Sequence, residues 1–154
     1  MQGTKVQCQF HFVGYRFTGR FDHYDTLVAK ALKEVRQKLH LVPSRTDTTV
    51  VLYEPQRGPE HTEGYFYVGV AVSEQPASLP DGSEYRFIEG MYGSARGRIK
   101  EMAAIYDFVG NWIRENGCTP IWLDTLFIER YEFPIPESDL TLEEEVEVLL
   151  PMQD

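Results

Sequence analysis

Two stretches of the chain repeat apolar residues at the spacing of a helix. Between residues 24 and 39, apolar side chains recur every three or four positions, with lysines and arginines between them. This pattern predicts an amphipathic helix that ends before Pro43, because a residue preceding proline avoids helical dihedrals. The same spacing over residues 99–113 predicts a second helix, which Gly117 is placed to end in a left-handed conformation.

The residues ahead of each helix predict how it begins. Asp22 is the candidate N-cap of the first helix, because its side chain can accept a hydrogen bond from a free backbone N–H. Ahead of the second helix, the sequence Gly-Met-Tyr-Gly at residues 90–93 predicts a turn. Ser94 follows that turn and is the corresponding N-cap candidate.

Six other segments have the alternation, or the β-branched and aromatic composition, of strands. They are residues 6–19, 49–53, 64–72, 84–90, 121–133 and 143–150. Gly14 is a candidate bulge in the first of them. In the third, Tyr65 and Tyr67 share one face and apolar residues fill the other. We therefore expect this strand to be covered on both sides, or to line a pocket on its tyrosine side.

The elements occur in the same order in both halves of the chain: strand, helix, strand, strand. Repeat 1 spans about residues 6–73 and repeat 2 about residues 84–152, with a linker at 74–83 that contains proline and serine, all within a single domain of residues 1–154. One helix covers only a small sheet, so the halves are expected to pair. The predicted fold class is α+β, a pseudo-symmetric duplication with two helices packed on an antiparallel sheet.

Short motifs accompany this repeated order. Residues 15–17 and 85–87 both read Tyr-Arg-Phe, and Tyr-Glu-Pro at 53–55 has a counterpart in Tyr-Glu-Phe-Pro at 131–134. If the two halves share a core, the joint between them is a natural place for a ligand cleft.

A carboxylate stands in the middle of a strand segment that is rich in apolar and aromatic residues. Strict alternation places Glu129 on one face with Phe127 and Tyr131. A carboxylate that aromatic rings shield from water must meet a cation or a hydrogen-bond donor, or take up a proton. Two other interpretations stay open: the face is exposed, or an internal arginine such as Arg86 or Arg130 pairs with Glu129.

Charge and composition limit the function classes. The 154 residues carry a formal charge of −9 at pH 7, which argues against nucleic acid as a direct partner. No apolar run has the length of a membrane span, and the first residues do not read as a signal peptide. Cys8 and Cys118 are far apart and favour a reducing, cytoplasmic compartment. The four histidines lack ligand spacing, so no metal and no other cofactor is expected.

The sequence resembles the GyrI-like small-molecule-binding domains, which also form the effector-binding part of some AraC-type and MerR-type multidrug regulators. The residues that carry the resemblance are the glycine–aromatic steps at 19–21 and 90–92, Leu-Tyr-Glu-Pro at 52–55, Leu-Pro-Asp-Gly at 79–82, Glu-Arg-Tyr at 129–131 followed by Pro134, and Val-Leu-Leu-Pro at 148–151. The resemblance covers about residues 6–152. It implies a stand-alone domain, because no DNA-binding domain accompanies it.

The resemblance implies a cleft between two strand-helix-strand-strand units that binds hydrophobic, often cationic compounds. Its hallmark is an acidic residue in the seventh strand, and Glu129 matches that position. We therefore expect Glu129 to be the counter-charge to a cationic small molecule, with aromatic side chains around it. The expected aromatic contacts are Tyr65, Tyr67, Trp122, Phe127 and Tyr131.

Two alternatives from the same resemblance stay open. Some stand-alone members are similar to hydrolases that open cyclopropane-bearing natural products, and there Glu129 would be the catalytic general acid or base. A third role is binding to a protein partner, as in the gyrase-inhibiting namesake, for which the acidic stretch 137–147 is the candidate surface. The membrane is not an expected partner, and the oligomeric state is left open.

Overall fold

Seven strands and two helices follow one another in the computed structural model, which describes residues 1–136 and 141–154. The strands are β1 (Thr4–Arg20), β2 (Arg45–Tyr53), β3 (Glu63–Val72), β4 (Ser83–Arg98), β5 (Thr119–Pro120), β6 (Phe127–Tyr131) and β7 (Glu145–Gln153). The helices are α1 (Tyr24–Arg36), between β1 and β2, and α2 (Met102–Glu115), between β4 and β5. In the described residues, no helix has both the length and the apolar character needed to cross a membrane.

All strand pairs are antiparallel, and they close into a ring. The sheet order is β4-β1-β3-β2-β6-β7-β5, and β4 also pairs with β7. The two longest strands make this possible, because each changes partner along its length. Residues 83–94 of β4 pair with β1, and residues 92–98 pair with β7. The predicted α+β class with two helices on an antiparallel sheet is confirmed.

The ring is pseudo-symmetric, as its register shows. Gly14 pairs with Gly69 in the first half, and Ser94 pairs with Leu149 in the second, an offset of 80 residues in both partners. The order of burial along β1 from Cys8 onward recurs along β4 in the same offset. With this offset of 80 residues, the two Tyr-Arg-Phe motifs at 15–17 and 85–87 do not occupy equivalent positions, so their match in sequence does not reflect the duplication.

Two cores lie on opposite faces of the sheet. The outer face carries both helices, whose buried residues on the α1 side include Leu32 and Val35, and on the α2 side Ile105 and Val109. The inner face of the ring encloses a second core. Its buried members are Cys8, Phe12, Val50, Leu52, Tyr67, Ile88, Tyr92, Leu126, Ile128 and Leu149. The strand predicted to be covered on both sides, β3, is covered in this way.

The structure corrects the predicted turn ahead of the second helix. No turn interrupts residues 90–93, and β4 is continuous to Arg98. Gly93 serves a close approach, because a Cβ there would overlap the side chain of Ile113 on α2. Ser94 lies within the strand, buried, and donates to Glu147 Oε2 at 2.6 Å, so it does not cap α2.

The first helix also differs at both ends. Asp22 does not cap it; the carboxylate accepts two hydrogen bonds from Arg20 instead, and His23 occupies the N-cap position without a side-chain bond. The helix ends at Arg36 rather than near residue 39, and Leu39–Leu41 forms a separate 3₁₀ turn. Gly117, with φ of 78°, follows α2 as predicted.

Two strand predictions are wrong in detail. Gly14 is not a bulge, since β1 keeps its register with β3 and with β4 on either side of it. The segment 121–133 is not one strand, because only β6 at its centre pairs with neighbours. Asp124 adopts φ of 55° between β5 and β6, and Trp122 and Leu123 beside it are exposed.

Candidate functional site

Glu129 lies at the centre of β6, directly opposite Val51 of β2. Alternation along β6 turns its side chain toward the outer face, where the helices pack, together with Phe127 and Tyr131. The residue is 6% exposed. By the strands counted here β6 is the sixth, one earlier than the resemblance implied.

Three tyrosine hydroxyls donate to the Glu129 carboxylate. Tyr53 from β2 and Tyr131 from β6 donate to Oε1 at 3.1 and 2.9 Å, and Tyr106 from α2 donates to Oε2 at 2.7 Å. The donors therefore come from both halves of the chain and from three elements. Hydrogen bonds to an ionised acceptor are stronger than neutral ones, so the three phenols offset part of the cost of burying a carboxylate here.

Neither arginine that could have neutralised Glu129 does so. Arg130 points to the opposite face of the sheet and binds Glu147 Oε1 through Nε at 3.0 Å and Nη2 at 2.7 Å. The guanidinium of Arg86 stacks over the ring of Tyr67. Within residues 1–136 and 141–154, the hydrogen-bond partners found for Glu129 are the three tyrosines, and no ion pair to it is found.

Burial determines the protonation behaviour of this cage. Removal from water raises the pKa of Glu129, and the hydrogen bonds from Tyr106, Tyr131 and Tyr53 lower it by less than burial raises it. Burial, followed by the nearby carboxylate, raises the pKa of the three phenols well above its usual range. The carboxyl is thus the group of this cage that loses a proton first as pH rises.

A cavity of about 780 Å³ opens above Glu129, between the N-terminal halves of α1 and α2. Its size is typical of sites that hold a drug-sized molecule. Both halves of the chain line it, and most of its wall is apolar or aromatic. The lining residues are Phe21, Tyr24, Asp25, Val28, Ala29, Leu32, Lys33, Tyr53, Glu54, Pro55, Gln56, Ile99, Met102, Tyr106, Phe127, Glu129, Tyr131, Ile135, Pro136 and Leu142.

Three other charged residues in the described part of the chain line the cavity, and each is more exposed than Glu129. Glu54 is paired with Arg57 at 2.8 Å, and His61 Nε2 stands 3.5 Å from its other oxygen. Asp25 and Lys33 contribute from α1. Glu54 thus has an arginine as partner. In the described residues, the partners found for Glu129 are neutral hydroxyl groups.

The structure brings together some of the predicted contact residues and separates others. Phe127 and Tyr131 line the cavity with Glu129. Tyr65 and Tyr67 point to the inner face of the sheet, where they pack edge to face at 5.9 Å with arginines over their rings. Trp122 does not line the cavity, but its ring packs at 5.4 Å on Phe127, which does.

Sequence reasoning missed Tyr53 and Tyr106 as members of the site. A signal for Tyr53 existed in the repeated Tyr-Glu motif, because Tyr53 and Tyr131 stand two residues after the paired positions 51 and 129. Tyr106 had only its place on the helix stripe, which predicts burial but not the strand beneath it. The aromatic residue Phe21, which follows β1, also lines the cavity.

The acidic stretch 137–147 is only partly visible, since residues 137–140 lie outside the described residues. Of the remainder, Glu143 binds Arg98 and Lys100, Glu145 stands 3.5 Å from Arg96, and Glu147 is buried. No group of three or more residues suited to hold a metal ion is found in the described part of the chain.

A scan against protein-family models finds no match, and a search of the curated proteins finds no relative. Solved structures share the fold. The chain is similar to SAV2435 bound to tetraphenylphosphonium, with a TM-score of 0.70 and 14% identity over 99% of this chain and 94% of that one. It is similar to EcmrR in a complex with DNA, with a TM-score of 0.67 and 17% identity over 99% of this chain, and it spans 57% of the EcmrR chain.

A hydrolase from Listeria innocua, encoded by lin2189, is a further structural neighbour, with a TM-score of 0.60 and 8% identity over 99% of this chain and 92% of that one. At these identities the likenesses establish the fold. They confirm, at that level, the GyrI-like fold that the sequence resemblance implied.

Proposed function

We propose that this protein binds hydrophobic aromatic molecules that carry a positive charge, in the cavity between its two halves. Glu129 is the counter-charge, and Tyr131 and Phe127 are aromatic contacts. The observation that carries the proposal is a carboxyl group buried at the floor of an apolar cavity, with three phenol donors and no cation among the partners found in the described residues.

The physical chemistry of the floor favours a particular kind of cation. A compact ammonium ion is strongly hydrated and loses this hydration when it pairs with a carboxylate in a dry site. Buried ion pairs often gain little stability for that reason. A large organic cation with spread charge is weakly hydrated and presents apolar surface to residues such as Leu32 and Met102. Aromatic faces add cation–π attraction of about 0.5–2 kcal/mol each.

The ligand of one solved neighbour supports this class of ligand. SAV2435 holds tetraphenylphosphonium, a bulky cation without a hydrogen-bond donor. Tetraphenylphosphonium is therefore the first probe to use, and neutral triphenylphosphine oxide is its control for shape and apolar contact.

Calorimetric titration of the two probes into wild type and Glu129→Gln tests the proposal. We expect saturable binding of the phosphonium in wild type and a loss of about tenfold or more in Glu129→Gln, which corresponds to about 1.4 kcal/mol. The oxide should bind weakly and equally to both. Equal affinity of wild type and variant for the phosphonium would remove Glu129 from recognition, and absence of binding by either probe would refute the proposed function.

A second function, hydrolysis of an electrophilic ligand, is favoured by one observation. The Glu129 carboxyl combines a raised pKa with an apolar cavity, the setting of a general acid or base. Product formation from a strained cyclopropane substrate, lost in Glu129→Gln while substrate binding persists, would establish this reaction. Binding without product in wild type would leave the binding function alone.

A further inference from the structure

The charge of the site has to be balanced in two states, empty and occupied. A lone carboxylate in a dry cavity carries a large desolvation cost unless its environment supplies compensation. The contacts found around Glu129 are neutral phenols. An occupied cavity gains its compensation from the bound cation, whereas an empty one has to obtain it in another way.

We propose that the cavity exchanges a proton for its ligand: Glu129 is protonated when the cavity is empty, and it releases that proton to solvent as the cation binds. This inference rests on the proposed function. The site is then neutral in both states. The step is balanced, because the carboxyl O–H bond breaks, the proton leaves to water, and the carboxylate stays to pair with the cation.

The hydrogen bonds identify which oxygen holds the proton. Oε1 accepts from both Tyr53 and Tyr131, which uses the two lone-pair positions of a carboxylate oxygen. Within the described residues, the donor found for Oε2 is Tyr106, at 2.7 Å. A proton on Oε2 can donate to the Tyr106 oxygen along the same line, once that hydroxyl turns its own hydrogen toward the cavity. The two states thus differ by one hydroxyl rotation, without movement of the backbone.

Other charged groups also face the cavity and could in principle exchange a proton when the ligand binds. Glu54 follows β2 and is held by Arg57 and by His61, whose Nδ1 accepts the Arg57 backbone N–H at 3.0 Å. Asp25 and Lys33 face the cavity from α1. Asp25 is exposed, whereas Glu129 is buried.

The test uses tetraphenylphosphonium, because its charge is permanent and the probe itself cannot titrate. Affinity should rise with pH, by up to about tenfold per unit, at pH values below the raised pKa of Glu129 in the empty cavity and above its lower pKa in the occupied cavity. Titration in phosphate and in Tris, which have different heats of ionisation, should show release of a proton on binding. Triphenylphosphine oxide should show no release.

Two variants separate Glu129 from the rest of the protein. Glu129→Gln should retain any residual phosphonium binding without dependence on pH and without proton release. Glu132→Gln removes an exposed carboxylate from the segment that follows β6 and should behave as wild type does. The buffer comparison on wild type is independent of both variants and stands even if one of them folds poorly.

Three results decide the matter. Proton release that Glu132→Gln keeps and Glu129→Gln loses establishes the exchange. Phosphonium binding in wild type at constant affinity from about pH 5 to about pH 8, without proton release, overturns the exchange and leaves the binding function intact. Failure of the phosphonium to bind at any pH overturns the exchange together with the proposed function.

Discussion

Val51 and Glu129 pair directly across β2 and β6, and they are equivalent positions of the two halves. Val51 also pairs with Val68 on β3, as Glu129 pairs with Val148 on β7, and those partners are related by the 80-residue offset of the duplication. The pseudo-twofold axis therefore passes between a valine and a glutamate. The buried carboxylate of Glu129 at the floor of the cavity is the point where the duplication is broken.

This asymmetry limits the charge at the axis. Two glutamates facing each other across a strand pair would repel, and one of them would have to stay protonated. With valine on one side, both equivalent tyrosines, Tyr53 and Tyr131, converge on one carboxylate oxygen. The duplicated unit thus supplies two donors to an acceptor that occurs once.

The first prediction concerns stability and pH. Because the pKa of Glu129 is raised in the folded state, the folded protein binds more protons than the unfolded chain at pH values between the ordinary glutamate pKa and the raised one. Glu129 therefore makes the free energy of unfolding fall as pH rises through that window, by about 1.4 kcal/mol for each unit of pKa increase.

Urea unfolding of wild type and Glu129→Gln over this pH range measures the effect as a difference. The difference between the two proteins should change with pH inside the window and be constant outside it. The pKa values of Asp22 and Glu143 are lowered by their cationic partners, which has the opposite sign, but both groups are common to the two proteins and cancel. A difference that is constant throughout would show that Glu129 has an ordinary pKa.

The second prediction ranks the tyrosines of the cage. Tyr106→Phe removes the donor found on Oε2, whereas Tyr53→Phe leaves Tyr131 on Oε1. A hydrogen bond to a charged group contributes about 1.5–3 kcal/mol. We expect Tyr106→Phe to raise the pKa of Glu129, and Tyr53→Phe to raise it by less, because the bond that Tyr106 donates to the carboxylate is stronger than the neutral bond that it accepts from the protonated carboxyl. The midpoint of phosphonium affinity against pH measures both, and equal midpoints would contradict the ranking.

The third prediction separates stability from binding. Glu147 accepts hydrogen bonds from Arg130 and from Ser94 on the inner side of the sheet, and it is not among the cavity residues. Glu147→Gln should lower the free energy of unfolding by about 2–3 kcal/mol. This loss is smaller than that expected for a fully buried ion pair, because the Arg130 side chain is 22% exposed and its Nε lies 3.9 Å from Glu132 Oε1.

Denaturant unfolding measures this loss, and phosphonium affinity should be retained by the folded fraction. The double variant Arg130→Met, Glu147→Leu supplies the control, since removing both charges should recover most of the loss. A loss in the double variant as large as in Glu147→Gln would point to packing rather than to the uncompensated guanidinium.

The sequence predicted the part of the site that depends on one strand. Alternation is local, so Phe127, Glu129 and Tyr131 were correctly placed on one face. Tyr106 depends on how α2 lies across β6, which no local pattern encodes. The pairing of β4 with β7 is equally non-local, and without it the glycines near residue 90 resembled a turn. In the structure, Gly93 lets α2 approach the strand.

The fourth prediction concerns the two glycines that face each other on the paired strands β1 and β3. Gly14 and Gly69 pair directly, and a Cβ on Gly69 would overlap the Val13 carbonyl oxygen and the Gly14 backbone. Backbone atoms inside a closed ring cannot yield easily, so Gly69→Ala should lose about 3 kcal/mol or more. Gly110→Ala on α2 is the matched control, because its Cβ would meet only the end of the Arg114 side chain at 3.5 Å. It should gain up to about 1 kcal/mol, and thermal unfolding distinguishes the two signs.

The fifth prediction uses the two tryptophans as position markers. Trp122 packs on the cavity residue Phe127, whereas Trp112 lies against Gly3 and Gly93 near the C-terminal end of α2. A coloured aromatic cation such as rhodamine, bound above Glu129, should therefore quench Trp122 more than Trp112. Trp122→Phe should lose most of the quenching and Trp112→Phe little of it.

Affinity measured by a separate method decides whether Trp122 also contacts the ligand. If its ring only covers Phe127 from outside, Trp122→Phe should change the affinity for rhodamine by less than about threefold, since a phenyl ring keeps most of the contact. A loss of tenfold or more, about 1.4 kcal/mol, would bring Trp122 into the binding site that the sequence predicted for it. Stronger loss of quenching in Trp112→Phe than in Trp122→Phe would place the bound cation away from Glu129 altogether.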